Sequence, residues 1–293
     1  MRIAHLLMTH RDPAQVERLI GALAHEAFDF YIHLDAKADM RDFAHLAQLP
    51  NVRFTPRRFA VRWASYHFTG AILECTRDIL ASGVAYEYIN LLSGQDYPIK
   101  PASTIYEFFA RHRGVSFLAF EPETSAWWQH ARSRVEQYHT TYFHFKGQYV
   151  LQKLLNRVLP KRKFPLPYTL YGSSDGSWWT MTATCAAYLV RFIDEHPKLR
   201  WFSMFTWGSD EFLLATILLN SPLKASIINE NYRYIDWSAG GANPKTLTTQ
   251  DFGRLAQAHK LFARKFDPAL DAEVLDLIDQ QLIRPRVPQA ASR

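Results

Sequence analysis

The chain has 293 residues, with 34 Lys and Arg against 28 Asp and Glu, a net charge of +6 and 48% hydrophobic residues. That length can bury about 75% of the unfolded surface in one core, and the composition excludes a disordered chain and a coiled coil. Two cysteines, Cys75 and Cys185, exclude a disulfide framework and a Cys-rich zinc site and fit a reducing compartment.

The elements follow in chain order. Met1-Arg2 leads straight into an apolar run, Ile3–Met8, too short for a leader or for the roughly 20 residues of a spanning helix. Folding is therefore expected to begin at residue 2, and the protein to be cytoplasmic or peripheral at the inner face of the cell membrane. Ile3–Met8 reads as a strand. Pro13–His25 carries a helical stripe of Val16, Leu19, Ile20 and Leu23. Strands are expected at Phe28–Leu34 and Val52–Phe54, then a helix over Ser65–Leu80 with Ser65 as N-cap. Tyr86–Leu92 is an apolar strand ending in Ser93-Gly94. A helix over Ser103–Arg113 and a strand over Val115–Phe120 complete the first part. This alternation predicts an α/β fold with a mixed, mainly parallel sheet flanked by helices.

From Glu121 to Tyr171 the pattern becomes aromatic and basic, with a modest helical stripe at Tyr149–Val158. It reads as an excursion from the sheet within a single domain, 1–283. The grammar then returns. Ser177–Met181 is extended, Ala183–His196 and Ser209–Asn220 are helical, and Ala225–Asn229 and Tyr232–Trp237 are strands. A Gly/Pro loop, Ser238–Lys245, precedes a last helix over Asp271–Ile283. The tail 284–293 is expected to fray.

Ligands of open α/β sheets sit beyond the carboxyl ends of the strands, which directs attention to Thr9–Arg11, Asp35–Asp39, Ser93–Pro98, Glu121–Glu123 and the loops near Ser209 and Ser238. No glycine-rich dinucleotide fingerprint, P-loop, zinc-protease motif or nucleophile elbow is present. No Asp-x-Asp occurs either, and Glu121-Pro-Glu123 supplies too few oxygens for a hard cation. Asp35 ends a strand, where it can meet a nucleoside hydroxyl or hold a turn. Asp96, in Ser93-Gly-Gln-Asp96, can hold sugar hydroxyls or satisfy turn amides. Asp210 and Glu211 follow Ser209, the expected cap of a helix. The helix dipole favours carboxylates there by ~0.3–1 kcal/mol, yet one of the two can serve as a general base if burial raises its pKa. Arg264 and Lys265 lie between Phe262 and Phe266, in what reads as a loop facing an extended anion, with Lys245 available to join them.

These segments in this order resemble the core-2/I-branching enzyme family of glycosyltransferases, which includes branching N-acetylglucosaminyltransferases and peptide O-xylosyltransferases. The matching text is Ile32-His-Leu-Asp35, Val61-Arg-Trp63, Leu92-Ser-Gly-Gln-Asp-Tyr-Pro-Ile99, Gly176-Ser-Trp-Trp179, Asp210-Glu-Phe212, Tyr234-Ile-Asp-Trp237 and Phe262-Ala-Arg-Lys-Phe266. The resemblance implies a GT-A-type fold, a UDP-sugar donor, inversion and no metal or other cofactor. It implies Glu211 as catalytic base, and Arg264 and Lys265, with Lys245 near a further basic position, as diphosphate ligands. It also implies Asp35, Asp96, Trp63 and Trp237 at the nucleoside and sugar. Trp127, Trp128 and Asp210 are expected at the acceptor, a glycan or a lipid-linked saccharide, with the two Trp rings either stacking on sugar or packing on the sheet, and with peripheral membrane contact open for 157–163. N-acetylglucosamine is favoured as donor sugar, because Trp178 stands where xylosyltransferases tend to show Asp; xylose is the alternative. A non-catalytic lectin-like domain and a nucleic-acid binder built on 127–163 are the competing classes. The second ranks low, since no recognised nucleic-acid motif is present.

Overall fold

The computed structural model describes residues 1–284. The strands are β1 Ile3–Thr9, β2 Phe28–Leu34, β3 Val52–Phe54, β4 Tyr88–Ser93, β5 Asp96–Pro98, β6 Ser116–Leu118, β7 Glu121–Pro122, β8 Tyr171–Gly172, β9 Trp179–Thr182, β10 Ile227–Ile228, β11 Arg233–Ile235 and β12 Phe262–Arg264. The α-helices are α1 Pro13–Ala22, α2 Met40–Phe43, α3 Tyr66–Leu80, α4 Ala102–Arg111, α5 Ala126–Glu136, α6 Gln148–Val158, α7 Ala183–Glu195, α8 Pro197–Met204, α9 Leu213–Leu219, α10 Phe252–Gln257 and α11 Glu273–Ile278. Among the described residues, seven strands form the main sheet in the order β10-β6-β9-β4-β1-β2-β3. Pairing is parallel throughout except at β9, which runs against both β4 and β6. The expected mixed, mainly parallel sheet flanked by helices is therefore the observed one.

Side-chain alternation on β1 explains the two layers of core. Ile3 and Leu7 enter one cluster with Val16 and Leu19 of α1, Ile105 and Phe109 of α4, and Val274 and Ile278 of α11. Ala4, Leu6 and Met8 enter the other, with Ile72 and Ile79 of α3, Leu189 and Ile193 of α7, and Ile217 of α9. Caps fix the helix starts: Asp12 accepts from the Gln15 amide, Ser65 from His67 and Thr182 from Cys185.

A three-stranded sheet, β11-β12-β5, stands beside the main one, and β12 pairs antiparallel with β5 so that Arg264 lies opposite Asp96. Two expectations change here. The Phe262–Phe266 segment is a strand up to Arg264 rather than a loop, and Asp96 begins a strand rather than standing in a turn. Helices α2, α5, α8 and α10 were not expected: each is short or buries few residues, only Trp128, Ala131 and Val135 in α5 and Leu199, Phe202 and Ser203 in α8. The tail beyond Arg284 lies outside the described residues.

Candidate active site

The carboxyl ends of β1, β2 and β4 open on one side of the main sheet. Since β9 is antiparallel, its amino end, preceded by Ser177-Trp178, arrives on the same side. Together they floor a cleft of about 420 Å³ reached by Thr9, His10, Asp35, Ser93, Ser177, Trp178, Asp210, Glu211, Trp237 and Arg264. Of the segments read for chemistry, Glu121–Glu123 contributes nothing to it. Among the described residues, no three His, Cys, Asp or Glu side chains gather as a metal-holding group.

Glu211 does not sit in the first turn of a helix with Ser209 as cap, as expected. Residues Ser209–Glu211 form a single 3-10 turn, α9 starts only at Leu213, and the Ser209 hydroxyl is buried against Thr69 Oγ1 at 2.8 Å. The dipole explanation for the acidic pair loses its helix. The turn is set from both sides. Gly208 has φ 62, a left-handed conformation that suits glycine. Gly176 lies so close that a Cβ there would come within 2.8 Å of the Glu211 carbonyl oxygen, and Ser173 N donates to that oxygen at 3.0 Å. The Gly176-Ser177 pair thus props the turn: Ser177 Oγ donates to Asp210 Oδ2 at 2.6 Å. Arg134 Nη1 of α5 donates to Glu211 Oε2 at 2.5 Å. Its guanidinium lies over the rings of Trp127 and Trp207, 5.0 and 4.3 Å from their centroids. Burial raises the Glu211 pKa to about 7, outweighing the opposing Arg134 charge. Burial likewise raises Asp210, against the hydroxyl of Ser177.

Arg264 forms the second feature. It is 9% exposed, lies over the ring of Trp178 at 3.7 Å, and approaches Asp96 Oδ1 at 3.4 Å. Its Nε and Nη1 have no hydrogen-bond partner. Buried guanidinium donors left open at a cleft suit an anionic ligand. Burial draws both Arg264 and Asp96 toward neutrality, and each partner's charge counters it.

The remaining predicted residues divide. Asp35 lines the cleft, with its two oxygens accepting from the Lys37 and Val61 amides at 2.9 and 3.1 Å, so the turn role and the site role coincide. Trp63 lines the rim, 62% exposed, edge-on to Trp207. Trp237 lines the wall, its Nε1 donating to Asp175 at 2.8 Å. Four expectations need correction, and a fifth shifts. Asp96 is fully buried beneath Arg264, with Oδ2 accepting from Ser93 N, and does not line the cleft. Lys245 is turned to the buried Asp251, at 2.7 Å, and does not line the cleft. Trp128 is 1% exposed in a small core with Phe212 and Phe202, its Nε1 held by the Glu121 carbonyl. Trp127 packs on Gly172 and Arg134 rather than lining the cleft. Lys265 also falls outside the lining: it lies past the end of β12, with Arg264, Arg11 and Asp267 as its charged neighbours.

Two site residues escaped sequence reading. Arg134 lay in the basic aromatic stretch without a motif to single it out. Asp175, whose pKa burial raises, precedes the Gly176-Ser177 match by one position, and that adjacency was the available signal.

The Core-2/I-Branching enzyme family model matches residues 3–256, and the chain belongs to that family. It is 30% identical over 304 residues to Xylosyltransferase 2 of Mus musculus, covering 96% of this chain and 34% of the relative. Identity and coverage are the same for Xylosyltransferase 2 of Homo sapiens. Xylosyltransferase 1 of Canis lupus familiaris is 26% identical over 314 residues, covering 96% and 31%. The chain spans about a third of the length of these curated relatives. Among solved structures, the galactosyltransferase LgtC, in complex with donor and acceptor sugar analogues, aligns over 98% of both chains at 10% identity, with a TM-score of 0.46.

Proposed function

We propose that the chain is an inverting glycosyltransferase that moves a sugar from a UDP-sugar to a hydroxyl of a glycan or glycoconjugate without a metal ion. The observation that carries the reading is one cleft holding both a carboxylate with a pKa near 7 and an arginine with open donors. Glu211 takes the proton of the acceptor hydroxyl as that oxygen bonds to C1. The bond from C1 to the diphosphate breaks from the opposite face, and its electron pair leaves with UDP. A base near pH 7 is half ionised at working pH and still basic enough to accept. Arg264 meets the charge that develops on the leaving group. One cation at 4 Å is worth ~4 kcal/mol at an effective dielectric of 20, about three orders of magnitude in rate. The two lysines once assigned beside it are therefore not required.

Asp35 stands at the β2 end for the nucleoside, and Trp63 and Trp237 flank the sugar. N-acetylglucosamine remains the first donor reading. Xylose is the second, favoured by the names of the relatives and by Asp175, which supplies a carboxylate in the turn where Trp178 had argued against one.

A thermal-shift panel of UDP-GlcNAc, UDP-xylose, UDP-glucose and UDP-glucuronate separates these, since a specific ligand raises the melting temperature. The reading fails if none of the four does so. Transfer assayed in excess chelator tests the charge assignment: activity lost there and restored by Mn²⁺ or Mg²⁺ would overturn it.

A further inference from the structure

Helix α6 is amphipathic in the inverted sense. Its polar residues face the protein. Asn156 exchanges hydrogen bonds with the backbone of Tyr138, at 2.7 and 2.8 Å. Gln152 Oε1 accepts from Thr140 N at 2.9 Å, and the Gln148 carbonyl accepts from Thr140 Oγ1 at 3.1 Å. These three are spaced four apart, on one face. On the other, Val150, Leu154 and Val158, also spaced four apart, are 72%, 55% and 70% exposed, with Leu151 beside them. None of the eleven residues is buried. A helix held down by amides and showing its aliphatic side chains to water lacks the usual driving force for docking.

Charge indicates what covers that face. From Gln137 to Ser174 there are six Lys and Arg and no Asp or Glu, so the whole net charge of +6 resides in this segment. Arg162 is engaged inside, donating to the carbonyls of Gln137, Phe202 and Phe205. Lys146, Lys153, Arg157, Lys161 and Lys163 are exposed. On a helical wheel Lys153 and Arg157 border one edge of the aliphatic stripe, and Lys146 precedes the helix start. A second copy of the chain would bring the same cations against these. An anionic bilayer accepts both the cations and the stripe. No helix among the described residues is long and apolar enough to cross a membrane.

We infer that α6 is an interfacial helix that seats this chain on an anionic lipid membrane. A groove of about 530 Å³ links it to the cleft: Gln148, Tyr149 and Gln152 form one side, and Lys37, Trp63 and Trp207, which also line the cleft, form the other. The acceptor enters along that groove as a lipid-linked saccharide, a step that rests on the transferase reading above.

The test is flotation of the full chain with vesicles of phosphatidylcholine alone, or of phosphatidylcholine and phosphatidylglycerol in equal parts. The chain floats with the anionic vesicles only and is released as salt rises. The triple variant Val150→Ser, Leu154→Ser, Val158→Ser loses about tenfold or more of the bound fraction. Its melting temperature and its response to UDP stay unchanged, because these side chains are exposed and line neither the groove nor the cleft. Three results overturn the inference: no flotation, equal flotation of parent and triple variant, or a concentration-dependent dimer that the triple variant abolishes. Glu211→Gln separates the two readings, since it floats like the parent. If transfer proves absent, docking stands and only the lipid-linked acceptor falls.

Discussion

Two carboxylate–guanidinium pairs of opposite design each present one member, Glu211 or Arg264, to the cleft. Glu211 and Arg134 are closed on each other at 2.5 Å, and the guanidinium is further held between Trp127 and Trp207. Asp96 and Arg264 approach only to 3.4 Å without a hydrogen bond between them, and Arg264 keeps donors unused. In the first pair the arginine is satisfied and the carboxylate is the poised group. In the second the carboxylate lies beneath and the arginine is the poised group. The same two side-chain types thus make a proton site and an anion site, depending on which partner is exposed to the cleft. Position follows from the scaffold: Arg264 is fixed by strand register against Asp96, whereas Glu211 depends on an irregular turn propped by Gly176 and Gly208.

The largest effect should come from the proton site. Glu211→Gln keeps the shape and the contact with Arg134 but removes basicity, and turnover should fall ~10²–10⁴-fold. UDP should still raise the melting temperature, because Arg264 is untouched. Turnover within tenfold of the parent would remove Glu211 from the role and leave a binding protein as the better reading. The mirror experiment is Arg264→Lys. It keeps the charge but loses the planar fork, so kcat/KM should fall ~10–100-fold, the range of a charged hydrogen bond or two. Here the UDP-induced shift in melting temperature should shrink as well. If the two variants gave the same pattern of losses, the division of labour between the pairs would be wrong.

The pH dependence sharpens the same contrast. With Glu211 raised to about 7, kcat/KM should climb with pH along a limb centred there. For stability the sign is opposite. A carboxyl whose folded pKa exceeds its ordinary 4.5 contributes stability that is full below about 4.5 and lost as pH rises through about 7. Glu211→Gln should flatten that part of the stability profile. Arg134→Gln should move the activity limb upward by about one unit or more, since it removes the charge that opposes burial.

Much of the sheet was legible because β1 and β2 are short apolar runs buried along their whole length and α1 and α3 carry capped apolar stripes, and the strand ends then located the cleft. Glu211, Arg264, Asp35 and Trp237 were found through motifs at those ends. What escaped detection depends on tertiary context. Arg134 reaches Glu211 from a helix whose sequence shows little stripe, packed through Trp128 on Phe212. Trp128 itself looked like a sugar platform because nothing local reveals that a ring is buried. Asp96 and Arg264 looked like separate ligands, since strand pairing between positions 96 and 264 has no local trace. Lys265 follows Arg264 in the text but lies past the end of β12 and outside the cleft lining.

Lys245 gives the smallest effect and the most specific one. The family resemblance put it with the diphosphate, yet Asp251 Oδ1 accepts from its Nζ at 2.7 Å, and Asp251 also caps its own turn through Thr248 N. Burial raises the Asp251 pKa, but Lys245, the Thr248 amide and Arg254 together hold it below its ordinary value. Arg254 remains at 2.5 Å when Lys245 is removed, so the carboxylate is not left unpaired. Lys245→Ala should therefore lower stability by about 1.5 kcal/mol, the low end for a hydrogen bond between charged groups, with kcat and KM for the donor unchanged. A tenfold rise in KM with an unaltered melting temperature would instead mean that the Ser238–Lys245 loop closes over the nucleotide and carries the lysine into the anion site.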